Sequence, residues 1–388
     1  SVSIGRLAKK NPISAFSSLA QENGHSRYWG LVGLLTVSSA FCILSFYSVV
    51  TGWVFQYSYF ALNGIVSHSD KKALQDLFSQ MMQNPGHMLG TGFIVLFLSA
   101  MVLRFNIQVG LEKLIKWILP LFFAALVLLM VYAFSYGDIK SALSFLFSPQ
   151  HQDFSFKSVL EALGQTFFSL GIASGILVTF GAYLTRDIPI YRTSIIVCLL
   201  DTAIAVLAGL FIFPILFAYH LAPTQGPSLI FIVLPLSFSH LPYGSFFSII
   251  FFLMLSFAAF TSVVALMEPI LFCLKEIVHI SRKKAAIWVA IATFIASLAT
   301  VFSFNYLASF HLFGKTLFDC IDYLTANIML PLGGLMIAIF SSWIIPKARM
   351  AHALNLEVSH FAFRAWLYAT RFIAPVAIIL LATKLLFF

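Results

Sequence analysis

Charge is scarce in this sequence. Asp, Glu, Lys and Arg together make up 10% of its 388 residues, where a water-soluble domain carries about 25%. So little charge cannot clothe a globule in water, which excludes a pair of soluble domains as the meaning of this length. Cysteine is scarce too: Cys42, Cys198, Cys273 and Cys320 are the whole complement. Their spacings form neither a disulfide framework nor a zinc-ligand pair. The ten histidines are scattered, and no nucleophile–base or metal-ligand pattern accompanies them, which counts against a membrane-embedded enzyme.

What is present is apolar length. Hydrophobic residues make up 60% of the chain and the mean hydropathy is +0.96. A helix needs roughly 20 apolar residues to cross the hydrocarbon of a bilayer. Runs of that kind predict about nine spans: Tyr28–Leu62, Met88–Leu103, Leu114–Phe134, Val159–Leu184, Ser194–Tyr219, Tyr243–Leu274, Ala286–Phe304, Thr316–Ile345 and Phe363–Phe387. The chain is therefore expected to be an all-α polytopic membrane protein with the lipid bilayer as its surroundings.

The formal charge of +9 would raise nucleic acid as a partner in a soluble protein. Here the basic residues sit mostly between the apolar runs. Alternate loops hold about sixteen lysines and arginines against about six, a positive-inside bias. That bias predicts residues 1–27 on the cytoplasmic side, an external C-terminus and no nucleic-acid partner. One outer loop carries Gly226-Pro227, Pro235 and Pro242 around the apolar stretch Leu229–Leu236. It is too short to span, and a small hairpin dipping toward the membrane is expected there.

The fourth span carries most information. It reads Gly164-Gln165-Thr166-Phe167-Phe168-Ser169-Leu170-Gly171-Ile172-Ala173-Ser174-Gly175, with glycine and serine crowding its middle. Two readings are open. Small residues let membrane helices approach closely; equally, they mark a helix broken at mid-membrane, where loose backbone groups hold ions and solutes. Charges inside spans need a partner or a watery path, so Asp201, Glu268, Asp319 and Asp322 draw notice. Thr261-Ser262 can offer oxygens to a hard cation, or bond back to their own helix.

These residues, in order, resemble the bacterial branch of the neurotransmitter:sodium symporter family. Ile4-Gly5-Arg6 with Lys10-Asn11-Pro12 is similar to the loop after that family's second helix. Ser45-Phe46-Tyr47 through Gly52-Trp53 is similar to the third helix, and Gly164–Leu170 to the start of the broken sixth. Asp201-Thr202 with Phe213-Pro214 resembles the seventh, Phe260-Thr261-Ser262 with Met267-Glu268-Pro269 the eighth, and Asp319–Asp322 with Pro331-Leu332-Gly333-Gly334 the tenth. Each match is weak alone; their order and spacing along essentially the whole chain are specific.

The resemblance implies a fold of two inverted five-helix repeats. Residues 1–136 would be the remainder of the first repeat, 158–346 the complete second, and 347–388 an additional span. The family's first two helices then have no counterpart in these residues, so that the chain would be a fragment, the product of a truncated reading frame or a remnant. The implied activity is sodium-coupled symport of a small amino-acid-like solute across a bacterial cytoplasmic membrane. A non-transporting remnant of such a symporter is the alternative, and a second copy of the chain is a further candidate partner.

By the same resemblance, Tyr47, Ile43, Phe168, Ser174 and Leu266 would line the solute pocket. Ser169 and Asp201 would contribute to one sodium site, and Thr261, Ser262 and the Ala258 carbonyl to a second. Gln165 and Asp322 would close an outer gate, and Tyr183 and Glu276 would belong to an inner one. The sequence departs from the family pattern in places. Gly171 stands where many members have serine, Ala173 where glycine is common, and Asp201 where others have asparagine. A carboxylate at 201 can supply the negative charge that some relatives take from chloride, so chloride is not expected to be required.

Overall fold

The computed structural model describes residues 1–66, 69–105, 111–148, 155–221, 223 and 226–387. Residues 67–68, 106–110, 149–154, 222, 224, 225 and 388 lie outside the described residues.

Two short helices open the chain, α1 (Val2–Ala8) and α2 (Pro12–Glu22). Lys9 ends α1 in the left-handed conformation. Asn11 then starts α2: its side-chain oxygen accepts from the Ser14 N–H, and Pro12 takes the first helical position, where its missing N–H costs nothing. Asn84-Pro85 repeats the device at the start of α5.

The following elements are α3 (Gly30–Leu62), α4 (Lys71–Gln83), α5 (Pro85–Leu103), α6 (Leu111–Tyr136), α7 (Ile139–Phe147), α8 (Phe156–Ser169), α9 (Ile176–Tyr183) and α10 (Ile190–Ala218). Then come α11 (Leu234–His240), α12 (Gly244–Val278), α13 (Arg282–Ser303), α14 (Leu317–Tyr323), α15 (Leu330–Ile339), α16 (Lys347–Ala353), α17 (Phe361–Tyr368) and α18 (Ala374–Phe387). Among the described residues, eight helical segments are long and apolar enough to cross a membrane, and α14 to Ile344 and α17 to Leu381 each count as one. The ninth expected span, Val159–Leu184, is not one of these eight: it is broken into α8 and α9. The expected hairpin at Leu229–Leu236 is instead one short helix, a wide turn at Leu229–Val233 running into α11.

Prolines explain the irregular turns. Wide π-type turns at Leu229–Val233, Leu324–Met329 and Ala369–Ile373 run directly into Pro235, Pro331 and Pro375. A proline has no N–H to close the helical bond, and its ring pushes the earlier carbonyl away, so the turn opens.

The long helices α3 and α12 pack most extensively on one another, and both are lined with small hydroxyl residues. Ser39, Ser45, Thr51 and Ser58 donate to carbonyls of their own helix, which removes the cost of burying an unpaired hydroxyl. Ser58 and Ser256 bridge the two helices at 2.8 Å. Two apolar cores result. One gathers Ile4, Phe16, Leu44, Val264 and Phe340; the other gathers Trp53, Tyr57, Phe231, Phe238 and Phe252. Ile43 belongs to the first and Val49 to the second, so the boundary falls about half-way along α3.

The N-terminal helix is held to the broken element by glycines. A Cβ on Gly5 would lie 1.8 Å from the Val178 carbonyl oxygen, and one on Gly181 would lie 2.1 Å from that of Val2. Only two bare Cα atoms allow α1 and α9 to meet backbone to backbone. Arg6, buried, locks the contact from the same end. Its guanidinium donates to the carbonyls of Ala353, Thr185 and Ile188 and to Asn355 Oδ1.

Candidate functional site

Helix α8 stops at Ser169 and α9 starts at Ile176. Between them Gly171, Ala173 and Gly175 all have positive φ, at 60°, 66° and 74°. Three left-handed residues in alternation cannot continue a right-handed helix. The open question about the small residues is thereby answered in favour of a break. The carbonyls of Phe167 and Phe168 at the end of α8 take the N–H groups of Ile172 and Gly171 in the turn, while the first N–H groups of α9 have no helical partner. Ser174 tightens the turn by donating to the Gly171 carbonyl at 2.7 Å.

A cavity of about 360 Å³ opens on this break. Its walls include Ile43 and Tyr47 of α3, Phe168, Ser169 and Ser174 around the break, and Ser262 and Leu266 of α12. All five residues expected to contact the solute line it. The walls are apolar apart from the Tyr47, Ser169, Ser174 and Ser262 hydroxyls and the backbone of the break. That is the pattern of a small-molecule site, an apolar enclosure with few placed polar groups.

The residues expected to hold cations form two groups. Ser169 donates to Asp201 Oδ2 at 3.2 Å, joining α8 to α10. Thr261 and Ser262 both donate to the Ala258 carbonyl, at 2.9 and 3.1 Å. That is the back-bonded geometry of an ordinary helix, yet a hydroxyl that donates its proton keeps its lone pairs for a cation. Ser262 faces the cavity, whereas Thr261 and Ala258 are not among its walls. Gln165 lies one turn before Ser169, exposed, and Asp322 lies half-buried in α14. No hydrogen bond joins the two among the described residues.

The two residues expected at an inner gate lie toward the end of the molecule that carries Arg6, each with its own partner. Tyr183 donates to Glu268 Oε1 at 2.8 Å. Arg282 grips the same carboxylate with both terminal nitrogens and reaches the Leu103 and Phe105 carbonyls with Nε, at 2.8 Å each. Glu268 is fully buried. Glu276 instead accepts from the backbone and side-chain nitrogens of Asn11, at 2.9 and 2.8 Å. The Glu268–Arg282 pair was not singled out from sequence. The signal was an ionisable residue inside an apolar span, which demands a partner without naming it.

With this geometry in hand, comparison with known proteins is decisive. Residues 68–387 match the model of the Sodium:neurotransmitter symporter family. The chain belongs to that family. A sodium-dependent transporter of Bacillus subtilis, YhdH, is 32% identical over 98% of this chain and 84% of its own length. A sodium-dependent transporter of Haemophilus influenzae is 30% identical over 99% of this chain and 85% of its own. The solved structure of MhsT in complex with L-phenylalanine superposes with a TM-score of 0.89 at 31% identity, covering 98% of this chain and 86% of that one. The protein is accordingly a sodium-dependent transporter of this family, with the inverted-repeat fold of broken helices and a multi-pass membrane location. The family is one of transporters rather than enzymes.

Proposed function

We propose that the protein is a sodium-coupled symporter for a small amino-acid-like solute, seated in the cavity beside the broken helix. The observation that carries this reading is convergence: Tyr47, Ser169 and Ser262, from three helices far apart in sequence, present hydroxyls to one apolar enclosure. The Tyr47 hydroxyl and the backbone of the break would bind the polar head of the solute. Ile43, Phe168 and Leu266 would enclose its side chain, with Phe168 as lid. MhsT, whose structure holds L-phenylalanine, makes an aromatic α-amino acid the first solute to test.

Sodium is the driving solute in this scheme. Ser169 and Asp201 would ligate one ion, and Thr261, Ser262 and the Ala258 carbonyl a second. Oxygen donors of this kind suit a hard monovalent cation. The Asp201 carboxylate would supply the negative charge, so chloride would not be needed. Gln165 and Asp322 would close the outer side. On the inner side Tyr183, with its Glu268–Arg282 partners, and Glu276 would belong to the gate. Residues 1–136 and 158–346 would form the parts of two inverted repeats, with 347–388 an added span. The membrane would be a bacterial cytoplasmic membrane, with residues 1–27 facing the cytoplasm and two copies of the chain able to pair.

The test is uptake by proteoliposomes carrying the protein, with and without the two leading helices of the Bacillus subtilis relative joined before Ser1. Labelled amino acids should accumulate under an inward sodium gradient and not when sodium is equal on both sides. Equal uptake in the two conditions, in both forms, overturns the reading.

A further inference from the structure

Of the three left-handed residues in the break, only Ala173 carries a side chain. An L-residue with a Cβ meets its own carbonyl in that conformation, which is why glycine is the usual occupant. Ala173 is buried, at 2% exposure, and is not among the walls of the solute cavity. Something other than solute contact must hold it there.

The surroundings of Gly333 supply the answer. A Cβ built on Gly333 would lie 2.9 Å from the Ala173 Cβ. Its next neighbours would be the Ala173 carbonyl oxygen at 3.6 Å and the Thr36 methyl at 3.8 Å, both ordinary contacts. The methyl of Ala173 therefore occupies the one space that a side chain at 333 would need, and nothing else stands in the way. Gly175 also packs on Thr36: a Cβ there would lie 3.3 Å from the Pro269 Cβ and 3.5 Å from the Thr36 carbonyl oxygen. The break, α15 and α3 meet at this point.

We propose that Ala173 and Gly333 are a size-complementary pair of positioning residues, one methyl filling the hollow left by one glycine, which holds the break against α15 and so sets the shape of the adjoining sodium and solute site. The functional half of this proposal rests on the transport reading above. The contact half does not.

The design is a swap of the methyl in the purified full chain, using Ala173→Gly, Gly333→Ala and the double variant. Two quantities are read. One is the melting temperature in detergent with potassium only; the other is the sodium concentration giving half of the sodium-induced rise in that temperature, at constant ionic strength. Gly333→Ala should lower the melting temperature and raise the half-saturating sodium concentration about tenfold, the scale of an overpacked core position. Ala173→Gly leaves the hollow empty and should raise it about threefold, a loss on the scale of one missing methyl contact. The double variant, which refills the hollow from the other side, should bring both quantities back toward those of the wild type.

A double variant as impaired as Gly333→Ala overturns the pairing. Melting temperatures that follow the swap, with the same half-saturating sodium in all four proteins, reduce the pair to packing and overturn the positioning role. A wild-type chain whose melting does not respond to sodium overturns the transport reading and the functional half with it, while the order of melting temperatures still decides the contact.

Discussion

Arg282 holds Glu268 with both terminal nitrogens, at 2.8 and 2.6 Å, and the carboxylate is shut off from solvent. The pair joins α12 to α13 across the turn between them, and Tyr183 adds α9 to the same carboxylate. Arg282 also caps the end of α5 through the Leu103 and Phe105 carbonyls. One cluster thus binds four helices at the end of the molecule opposite the Trp53 core.

Breaking this pair leaves an uncompensated buried charge, which costs about 3–5 kcal/mol. Arg282→Ala should therefore lower the melting temperature and loosen this end. Cys273, buried beside Asn11, is a built-in reporter. Its alkylation, followed site by site by mass spectrometry, should speed up in Arg282→Ala. An unchanged rate would mean that the cluster does not hold this end closed.

Sodium ligation has its own test. Loss of one oxygen ligand to a dehydrated cation should cost at least about 1.4 kcal/mol, a tenfold change in half-saturation. Ser262→Ala and Asp201→Ala should each raise the sodium concentration for half-maximal uptake by about that factor. Unchanged sodium dependence in both variants removes the assignment of these sites.

Chloride separates a second property of Asp201. Uptake should persist when gluconate replaces chloride, and Asp201→Asn should reduce uptake or make it depend on the anion. A wild-type protein that stops without chloride refutes the idea that this carboxylate stands in for the ion.

The α1–α9 contact tests the packing. Gly5→Ala places a methyl 1.8 Å from the Val178 oxygen, so backbone must move, at a cost of about 1–3 kcal/mol. The melting temperature should fall by several degrees, and Gly181→Ala, which meets the Val2 oxygen from the other helix, should have a similar effect. If both variants melt like the wild type, α1 is not clamped to the broken helix.

Hydropathy and small-residue spacing are local properties, and they carried far. They located the spans, because a helix in lipid satisfies its own backbone and needs only apolar side chains of sufficient run. They also pointed to the break, since Gly171 and Gly175 stand where the left-handed turns occur. The family motifs placed Ile43, Tyr47, Phe168, Ser174 and Leu266 around one cavity, as the fold does. Partner choice was another matter. Tyr183 and Glu276 were expected at one gate, but nothing local says that Tyr183 bonds Glu268 or that Glu276 is taken by Asn11. Ala173, in the break after α8, and Gly333, in α15, lie far apart in sequence, and no local pattern links them. Which carboxylate an arginine reaches, and which glycine must stay bare, depend on distances between helices that meet only once the whole bundle has packed.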